Sequence, residues 1–517
     1  MARVVFLLIL CTGFAYRAAA ASCEDLTNLS LADTKIVSAT AVTPDPEWKV
    51  PGAAGPFSAT VKKQFCRVQG VIEKEIDFEV WLPQLAEWNG RYLGAGTGGT
   101  AGIPNYGDMS RGLNRGFAVA GTDAGHKITD QHWALEDSQR LVNLGQRSNH
   151  LLQEKAKAII TAYYMQAAKY SYFIGCSGGG RMAMKEAQMY PDDYDGIIAG
   201  TPAPVPSIMS IRNQWEALQL AKAAPVKLTE ADWQLVAEAG TKACVPAAID
   251  GVAEDPRKCH LDLSKIECHG AQHEGCLSSE QLDLVKTIYG PLRDEAGKQL
   301  DPGMLPGSKL ERIGASTSAG LIGDIVHPDA KWDSGQLRIV DDLPGFQKAF
   351  PDWDINDPDL RPFKRHNGKL IGYQGWVDPI VLPLNTINGY ESVIKVMGSE
   401  AKTEDFYRLF MVPGMSHCGG GPGANQFGGS AGADPPVVDA RHDLLSALVT
   451  WVEQGKAPDV IVASRVQEGK VVSTHPLCPY PQEAHFEGAG SATDASDWKC
   501  VRERPGKAAT VASTGVK

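Results

Sequence analysis

A serine flanked by glycines is the first candidate for chemistry in this sequence. Gly175, Ser177 and Gly179 end an aromatic and β-branched stretch, residues 170–175, and precede a run of good helix formers, residues 181–190. This order predicts a buried strand, a tight turn and a helix, which is the context of a nucleophile elbow. The glycines allow backbone segments to approach where a Cβ would clash, and the helix start directs N–H groups at the serine. An ordinary glycine-rich turn is the competing interpretation.

A histidine and an aspartate that could activate this serine follow two predicted strands further along the chain. A serine nucleophile needs a histidine to take its proton and a carboxylate to orient that histidine, in the chain order Ser, acid, His in α/β-hydrolases. Asp378 follows the apolar stretch 369–374, and His417 follows the apolar stretch 406–412. An Asp-Pro turn and an exposed loop histidine are the competing interpretations. The joint placement favours a triad of Ser177, Asp378 and His417.

A glycine cluster, residues 96–102, follows an earlier predicted strand that begins near Trp88. Such a cluster presents bare backbone N–H groups, and one oxyanion donor of α/β-hydrolases comes from this region. A nucleotide-binding loop is disfavoured, because no Walker lysine follows and no helix clearly starts there.

Two polar residues, Asp123 and His126, follow a second predicted strand at residues 116–121. We interpret them first as a pair that stabilises a turn and second as a functional pair. A long helix predicted over residues 142–166 then leads to the nucleophile strand.

The alternation of strands and helices stops between about residue 207 and about residue 341. This segment holds predicted helices at 214–223 and 278–288 and four of the cysteines. It predicts an inserted lid domain, the usual place for substrate selection. The sequence therefore predicts an α/β protein with an α/β-hydrolase fold and a large inserted lid domain. The expected organisation is a signal peptide at 1–21, a catalytic domain at 22–206 and 342–517, and the lid at 207–341.

The beginning of the chain predicts export. A short charged region, an apolar run and the small residues 18–21 are typical of a secretory signal, and no later stretch is apolar enough to span a bilayer. We therefore expect a secreted protein, extracellular or periplasmic. Removal of the signal takes Cys11 and leaves ten of the eleven cysteines, an even number that predicts disulfides. Lipid attachment at Cys23 fits poorly, and a structural zinc site is not expected because the sequence has no C-x-x-C pair.

The net charge of −11 argues against nucleic acid or an anionic membrane as a partner, because no basic face is available to neutralise phosphates.

Two cysteines bear directly on the candidate site. Cys176 precedes Ser177 and Cys418 follows His417. If the serine and the histidine meet, their neighbours come close enough to form a disulfide. That bond would attach the histidine loop to the nucleophile turn.

Six motifs, spread over nearly the whole chain, resemble the tannase and feruloyl esterase family of α/β-hydrolases, which also contains a hydrolase of a terephthalate monoester. They are residues 88–91, 96–102, 172–181, 194–200, 409–423 and 476–481. The resemblance implies Ser177 as nucleophile, His417 as base and Asp378 as acid, with oxyanion donors from the N–H groups of Thr97 and Gly178. It also implies five disulfides that use all ten cysteines: Cys23–Cys66, Cys176–Cys418, Cys244–Cys259, Cys268–Cys276 and Cys478–Cys500.

The resemblance further implies a calcium loop in the lid, with aspartates one and four residues after its first cysteine. Here Cys244 is followed by the apolar run 245–249, and only Asp250, with Val252 as a carbonyl donor, matches that pattern. Calcium takes about six to eight oxygen ligands and favours several carboxylates. The sequence therefore argues against a structural calcium site, with Glu254 and Asp255 as the carboxylates that could substitute.

These observations predict a secreted serine carboxylester hydrolase that cleaves esters of plant phenolic acids, of feruloyl esterase type, without a catalytic cofactor. The expected substrate is a small phenolic ester or an esterified plant polysaccharide. A tannase, which hydrolyses galloyl esters, and a hydrolase of aromatic monoesters of the terephthalate type remain alternatives within the family. A peptidase and a non-enzymatic binding protein on a hydrolase fold are alternatives from other classes. The intact Ser, His and Asp argue against the binding protein.

Overall fold

The structure is a computed structural model, and it describes residues 22–53, 58–223, 225–244, 249, 251–270, 274–310, 315–328, 332–430, 432 and 434–502. The expected signal peptide at 1–21 and the candidate calcium ligand Asp250 lie outside the described residues. Among the helices of the described residues, none is long and apolar enough to cross a bilayer.

Fifteen strands run along the described chain. They are β1 (Thr34–Val42), β2 (Trp48–Lys49), β3 (Thr60–Val61), β4 (Phe65–Ile72), β5 (Ile76–Pro83), β6 (Arg91–Ala95), β7 (Ala118–Thr122), β8 (Tyr170–Cys176), β9 (Gly196–Gly200), β10 (Lys369–Gly375), β11 (Tyr407–Val412), β12 (Ile461–Gln467), β13 (Lys470–Leu477), β14 (Glu483–Phe486) and β15 (Trp498–Val501).

Fourteen α-helices connect or flank these strands in the described residues. They are α1 (Tyr106–Asn114), α2 (Trp133–Glu136), α3 (Ser138–Val142), α4 (Ser148–Tyr164), α5 (Gly178–Met189), α6 (Pro206–Lys222), α7 (Glu230–Lys242), α8 (Ser279–Tyr289), α9 (Ala315–Val326), α10 (Ile339–Ala349), α11 (Arg361–Arg365), α12 (Pro383–Met397), α13 (Glu400–Glu404) and α14 (Leu444–Gln454). The long helix predicted over 142–166 is divided by a π-helical turn at Asn143–Arg147.

Nine strands form one sheet in the order β1-β4-β5-β7-β6-β8-β9-β10-β11. The pairs from β7 to β11 are parallel, whereas β1, β4, β5 and β7 pair antiparallel. The chain passes from β6 to β7 on one side and then to β8 on the other side of β6. In open α/β sheets, ligands bind outside the carboxyl ends of the strands where the strand order reverses. This topology confirms the predicted α/β class and places a crevice at the ends of β6 and β8.

The parallel strands are apolar on both faces because helices cover both sides of the sheet. Along β8, Phe173 belongs to the apolar layer under α4 and α5, and its neighbours Tyr172 and Ile174 belong to the layer under α1 and α14. This alternation follows from the two-residue period of a strand. It holds the strand before Ser177 firmly from both sides.

Helix α14 shows how the covering helices are specified. Asp443 accepts a hydrogen bond from the N–H of Ser446 and caps the start of the helix, and Gly455 ends it with φ 70°. Leu444, Leu448 and Trp451 lie on one face at helical spacing and are buried against the sheet. Each fully buried side chain of this size contributes about 1.5–3 kcal/mol.

The segment expected to be the lid follows β9, and its regular secondary structure consists of helices joined by long loops. It has an apolar core of its own, in which α7 and α8 pack together through Trp233, Val236, Val285 and Ile288. The boundary expected at residue 341 falls inside helix α10 (Ile339–Ala349). This helix packs against α6 and α9. The α/β alternation resumes with β10, as expected from the apolar stretch 369–374.

Candidate active site

Ser177 lies in the sharp turn between β8 and α5. Its backbone has φ 59° and ψ −120°, a conformation that costs a residue with a side chain about 1–3 kcal/mol. The turn is held from two sides, because the Ser177 N–H donates to the carbonyl of Gly200 (3.0 Å) and the Ser177 carbonyl accepts from Arg181 N–H (2.8 Å). This is the strand, turn and helix arrangement predicted from the sequence.

The glycines around Ser177 are explained by close backbone contacts. A Cβ on Gly175 would lie 2.5 Å from the carbonyl carbon of Gly179, and one on Gly180 would come closer than 3.0 Å to the carbonyl oxygen of Gly200. Any side chain at these positions would therefore push the start of α5 away from the sheet. The glycine spacing read from the sequence reflects this requirement.

The glycine loop after β6 lies directly against the start of α5. A Cβ on Gly178 would lie within 3.0 Å of Gly99, and a Cβ on Gly179 would lie 2.6 Å from the Gly96 carbonyl oxygen and 3.4 Å from the Thr97 nitrogen. The two predicted oxyanion donors, the N–H groups of Thr97 and Gly178, are therefore carried by segments in contact. Gly178 is the first residue of α5, so its N–H has no partner within the helix.

Asp378 lies in the loop after β10 and is fully buried. Its Oδ1 accepts hydrogen bonds from the N–H groups of Ile380 (2.8 Å) and Val381 (3.0 Å). Its Oδ2 lies 2.9 Å from Nδ1 of His417 and also accepts from the Gln374 amide (3.2 Å). The structure thus brings together two of the predicted residues, in the contact by which a carboxylate orients a histidine.

The Cys176–Cys418 disulfide joins the nucleophile turn to the histidine loop. The two Cα atoms are 6.0 Å apart although 242 residues separate them in sequence. Ser177 and His417 are the immediate neighbours of these cysteines. The disulfide therefore holds the two segments of the candidate site against each other.

The other cysteines pair as the family resemblance implies. Cys23 joins Cys66 at the edge of the sheet, and Cys478 joins Cys500 near the carboxyl end. The remaining two disulfides, Cys244–Cys259 and Cys268–Cys276, both lie in the lid. All ten cysteines expected in the exported chain are bonded.

Asp123 and His126 form a buried turn beside the glycine loop. Asp123 Oδ1 accepts the N–H of Gly125 (2.9 Å), and its carbonyl accepts the N–H of Gly102 (2.9 Å). His126 stacks on Trp133, with ring centroids 4.0 Å apart. Burial raises the pKa of Asp123 to about 6 and lowers the pKa of His126 to about 4. These contacts match the first interpretation, a pair that stabilises a turn.

The three candidate calcium residues that the structure describes, Val252, Glu254 and Asp255, all bind other groups of the protein. The Val252 carbonyl accepts the N–H of Ile249 (3.0 Å), Glu254 lies 3.2 Å from His475 Nε2, and Asp255 binds the guanidinium of Arg257 at 2.8 Å. Across the described residues, no three histidine, cysteine, aspartate or glutamate side chains converge as a metal site requires. These described residues, already bound to other groups of the protein, therefore do not fit calcium.

Three residues make hydrogen bonds around the site that were not predicted from the sequence. Gln374 donates to Asp378 (3.2 Å), Asn105 donates to the carbonyl of Gly96 (2.8 Å), and Arg181 donates to the carbonyls of Gly145 and Leu144, both at 2.6 Å. Arg181 is the last residue of the motif at 172–181, and Asn105 precedes helix α1, as capping residues do. The bonds of Arg181 join segments far apart in the sequence, and no local pattern specifies the bonds of Gln374 and Asn105.

Solved structures with the same architecture are ester hydrolases. A crystal structure of feruloyl esterase B from Aspergillus oryzae has a TM-score of 0.83 at 27% identity and covers 93% of this chain and 99% of that chain. Tannin acyl hydrolase from Aspergillus niger has a TM-score of 0.72 at 21% identity, with 92% of each chain covered, and shares the fold. The α/β-hydrolase fold is thus confirmed, and the protein is a carboxylic ester hydrolase.

Sequence comparison narrows this class to one family. The profile of the family "Tannase and feruloyl esterase" matches residues 59–320 and 324–501. An uncharacterized esterase of Xanthomonas campestris pv. campestris is 34% identical over 93% of this chain and 92% of its own length. A probable feruloyl esterase B-2 of Aspergillus terreus is 30% identical over 92% of this chain and 90% of its own length. The chain belongs to the tannase and feruloyl esterase family, as its motifs indicated.

Proposed function

We propose that Ser177, His417 and Asp378 are the catalytic triad of this esterase. The observation that carries the proposal is the contact of His417 Nδ1 with the buried Asp378 carboxylate (2.9 Å). The loop that carries His417 is also joined by a disulfide to the nucleophile turn. The contact of Nδ1 with Asp378 orients the ring, and in this arrangement Nε2 is the nitrogen that acts as base toward the serine.

The reaction follows from these positions. Ser177 Oγ attacks the ester carbonyl and passes its proton to His417, and the N–H groups of Thr97 and Gly178 hold the oxyanion. His417 then protonates the leaving alcohol, which leaves an acyl-enzyme. Water, deprotonated by His417, attacks this intermediate and releases the acid and the free serine.

We propose esters of plant phenolic acids as substrates, with feruloyl esters as the favoured class. The relatives at 30% identity over most of both chains that are named probable feruloyl esterases support this choice.

A substrate panel tests this proposal. Purified protein is assayed with feruloyl, galloyl, simple aryl and peptide substrates, and hydrolysis of feruloyl esters with the highest kcat/KM is expected. A preference for galloyl esters would replace the proposed substrate class by that of a tannase. Cleavage of peptides alone would refute the esterase proposal.

Replacement of the nucleophile tests the triad. Ser177→Ala should abolish ester hydrolysis and labelling by a serine-directed fluorophosphonate, with an unchanged circular dichroism spectrum. Ser171→Ala, on the same strand but away from the turn, is the matched control and should keep both properties. Full activity of Ser177→Ala would rule out the triad.

We propose that the protein is exported and works outside the cytoplasm. Its five disulfides support this location, because disulfides persist in oxidising compartments. Expression of the full chain in a secreting host, followed by mass measurement of the exported product, should show loss of about the first 21 residues, as the small residues before the expected cleavage indicate. Retention of the uncleaved chain inside the cell would contradict this proposal.

A further inference from the structure

Asn105 has both ends of its side-chain amide bonded, one of them to the glycine loop of the candidate site. Its Oδ1 accepts the N–H of Asp108 (3.1 Å) and caps helix α1. Its Nδ2 donates to the carbonyl of Gly96 (2.8 Å) and to Oδ2 of Asp108 (2.8 Å). Only the NH2 group can donate to a carbonyl oxygen, so this pattern fixes the orientation of the amide.

The bond to Gly96 controls the direction of the next N–H. The carbonyl of Gly96 and the N–H of Thr97 belong to one planar trans peptide and point in opposite directions. Holding this carbonyl therefore turns the Thr97 N–H away from Asn105. In the described part of the chain, no protein acceptor receives the Thr97 N–H, although Thr97 is 5% exposed. A buried donor of this kind normally has a partner.

A buried network keeps Asn105 in place. Asp108 is 2% exposed, and its Oδ2 also accepts the hydroxyl of Ser430. The carbonyl of Ser430 in turn accepts the hydroxyl of Tyr373 (3.0 Å), which lies on β10. The Asn105 amide is thus anchored to the sheet on the side away from Gly96, and it cannot rotate without breaking bonds to a buried carboxylate.

We infer that Asn105 is a positioning residue for the oxyanion site. Its amide holds the Gly96–Thr97 peptide in the orientation that presents the Thr97 N–H to the oxygen of the reacting ester carbonyl. The inference rests on the proposed function, because it assumes that an oxyanion forms beside Ser177. A peptide free to rotate would spend part of its time with the carbonyl oxygen facing the oxyanion, which is repulsive.

The substitution Asn105→Ser separates this role from helix capping. Serine caps a helix about as well as asparagine, but its short hydroxyl cannot both cap α1 and reach Gly96 as a donor. Loss of one oxyanion donor costs about 100-fold to 1000-fold in kcat. A donor that is only misoriented should cost less, so we expect kcat to fall by about tenfold to 100-fold with little change in KM. The effect is on kcat because the oxyanion exists only in the transition state.

Binding of an arylboronic acid supplies a readout that a purely structural role would not change. The serine Oγ adds to boron, the serine proton passes to His417, and the resulting tetrahedral anion places an oxygen at the oxyanion site. Affinity for this inhibitor should fall in Asn105→Ser by about the same factor as kcat/KM. Inhibition by the product ferulate, a planar acid that forms no tetrahedral adduct, should be little changed.

Asn89 provides the matched control within the same chain. It lies before β6, where its Oδ1 accepts the N–H of Arg91 (3.0 Å) and its Nδ2 donates to the carbonyl of Arg115 (2.9 Å) at the end of α1. Asn89→Ser therefore removes an equivalent amide-to-carbonyl bond at the opposite end of strand and helix. It should leave kcat and boronate affinity unchanged.

Three results would overturn the inference: wild-type kcat in Asn105→Ser, a loss confined to KM, or an equal loss in Asn89→Ser. If Asn105→Ser does not fold, Asn105→Gly, which caps a helix nearly as well but has no side chain to donate to Gly96, is measured in the same way. Simple aryl acetates serve as substrate, so that failure to cleave feruloyl esters counts against the proposed substrate class alone. Activity in Ser177→Ala would instead remove the nucleophile on which both the proposed function and the inference rest.

Discussion

Removal of the Cys176–Cys418 disulfide should reduce turnover far more than it reduces stability. The histidine loop, residues 413–423, contains five glycines, which makes it costly to order. Two of the hydrogen bonds within the loop are long, Ser416 N–H to Gly420 (3.4 Å) and Gly423 N–H to Gly414 (3.3 Å). Without the disulfide, the position of His417 depends on such bonds and on packing.

The two effects differ in size. A disulfide typically stabilises a protein by about 2–4 kcal/mol, with larger values for long loops. Each kcal/mol shifts Tm by about 2–4 °C in a protein of 150–250 residues, so we expect a fall of roughly 4–16 °C at most. A displacement of a catalytic group by about 1 Å can cost on the order of 100-fold in rate. At a temperature where both proteins are folded, the rate loss should therefore dominate.

The assay measures kcat and Tm on the same preparation of the double variant Cys176→Ala/Cys418→Ala. The matched control is Cys23→Ala/Cys66→Ala, which removes a disulfide that ties residue 23 to β4, far along the sheet from β8. The control variant should have a lower Tm than the wild type and an unchanged kcat. Wild-type kcat in the first variant, or free thiols at both positions in a peptide map of the wild type, would refute the reasoning.

Three further predictions concern the metal, the lid and the nucleophile turn. Treatment with EDTA should change Tm little, and a large fall in Tm that calcium restores would show that the lid binds calcium after all. The contact of His132 with Asp324 of α9 (2.7 Å) raises the pKa of this histidine. The stabilisation that this contact provides is therefore fully present below the unfolded pKa of about 6.5 and is lost as pH rises through the raised pKa. Asp324→Asn should lower Tm relative to wild type at about pH 5 but not at about pH 9. An equal fall in Tm at both pH values would contradict this prediction. Gly180→Ala should prevent accumulation of folded protein because its Cβ would meet the Gly200 carbonyl, whereas Gly98→Ala, with no atom within 4 Å of its Cβ, should fold normally; soluble, active Gly180→Ala would contradict the crowding argument.

The parts of the site that depend on neighbouring residues could be predicted from the sequence. The turn at Ser177 requires glycines on both sides, and this requirement is visible as a spacing. The loops that carry Asp378 and His417 each follow an apolar strand, and such strands stand out because both faces are buried. The chain order of the three residues then favoured their assignment as the proposed triad.

Contacts between distant segments could not be predicted in the same way. Arg181 binds the carbonyls of Gly145 and Leu144, which only the folded chain brings near. Asn105 and Gln374 bind groups nine and four residues away in the sequence, but no helix or turn pattern specifies those bonds. The strands β12–β15 at the carboxyl end were missed because they form two-stranded pairs with exposed positions, such as Val471 and Val472, and hence no continuous apolar run. The boundary near residue 341 was taken from the interruption of the strand–helix alternation, and in the structure it falls inside α10, which packs against α6 and α9.

The position of His417 also explains why the disulfide is placed where it is. Strand β11 is separated from β8 by β9 and β10, which at about 4.8 Å per step amounts to roughly 14 Å. The Cα atoms of Cys176 and Cys418 are nevertheless only 6.0 Å apart, so the loop after β11 must return across the end of β10. Gly375 ends β10, and a Cβ there would lie 2.5 Å from the Ser416 carbonyl oxygen, which places the loop directly over this residue. Asp378, in the loop that follows β10, therefore lies under the returning loop and contacts His417 there. The disulfide at the next residue, Cys418, attaches this part of the loop to Cys176. A shift of the loop at this point would displace the histidine directly.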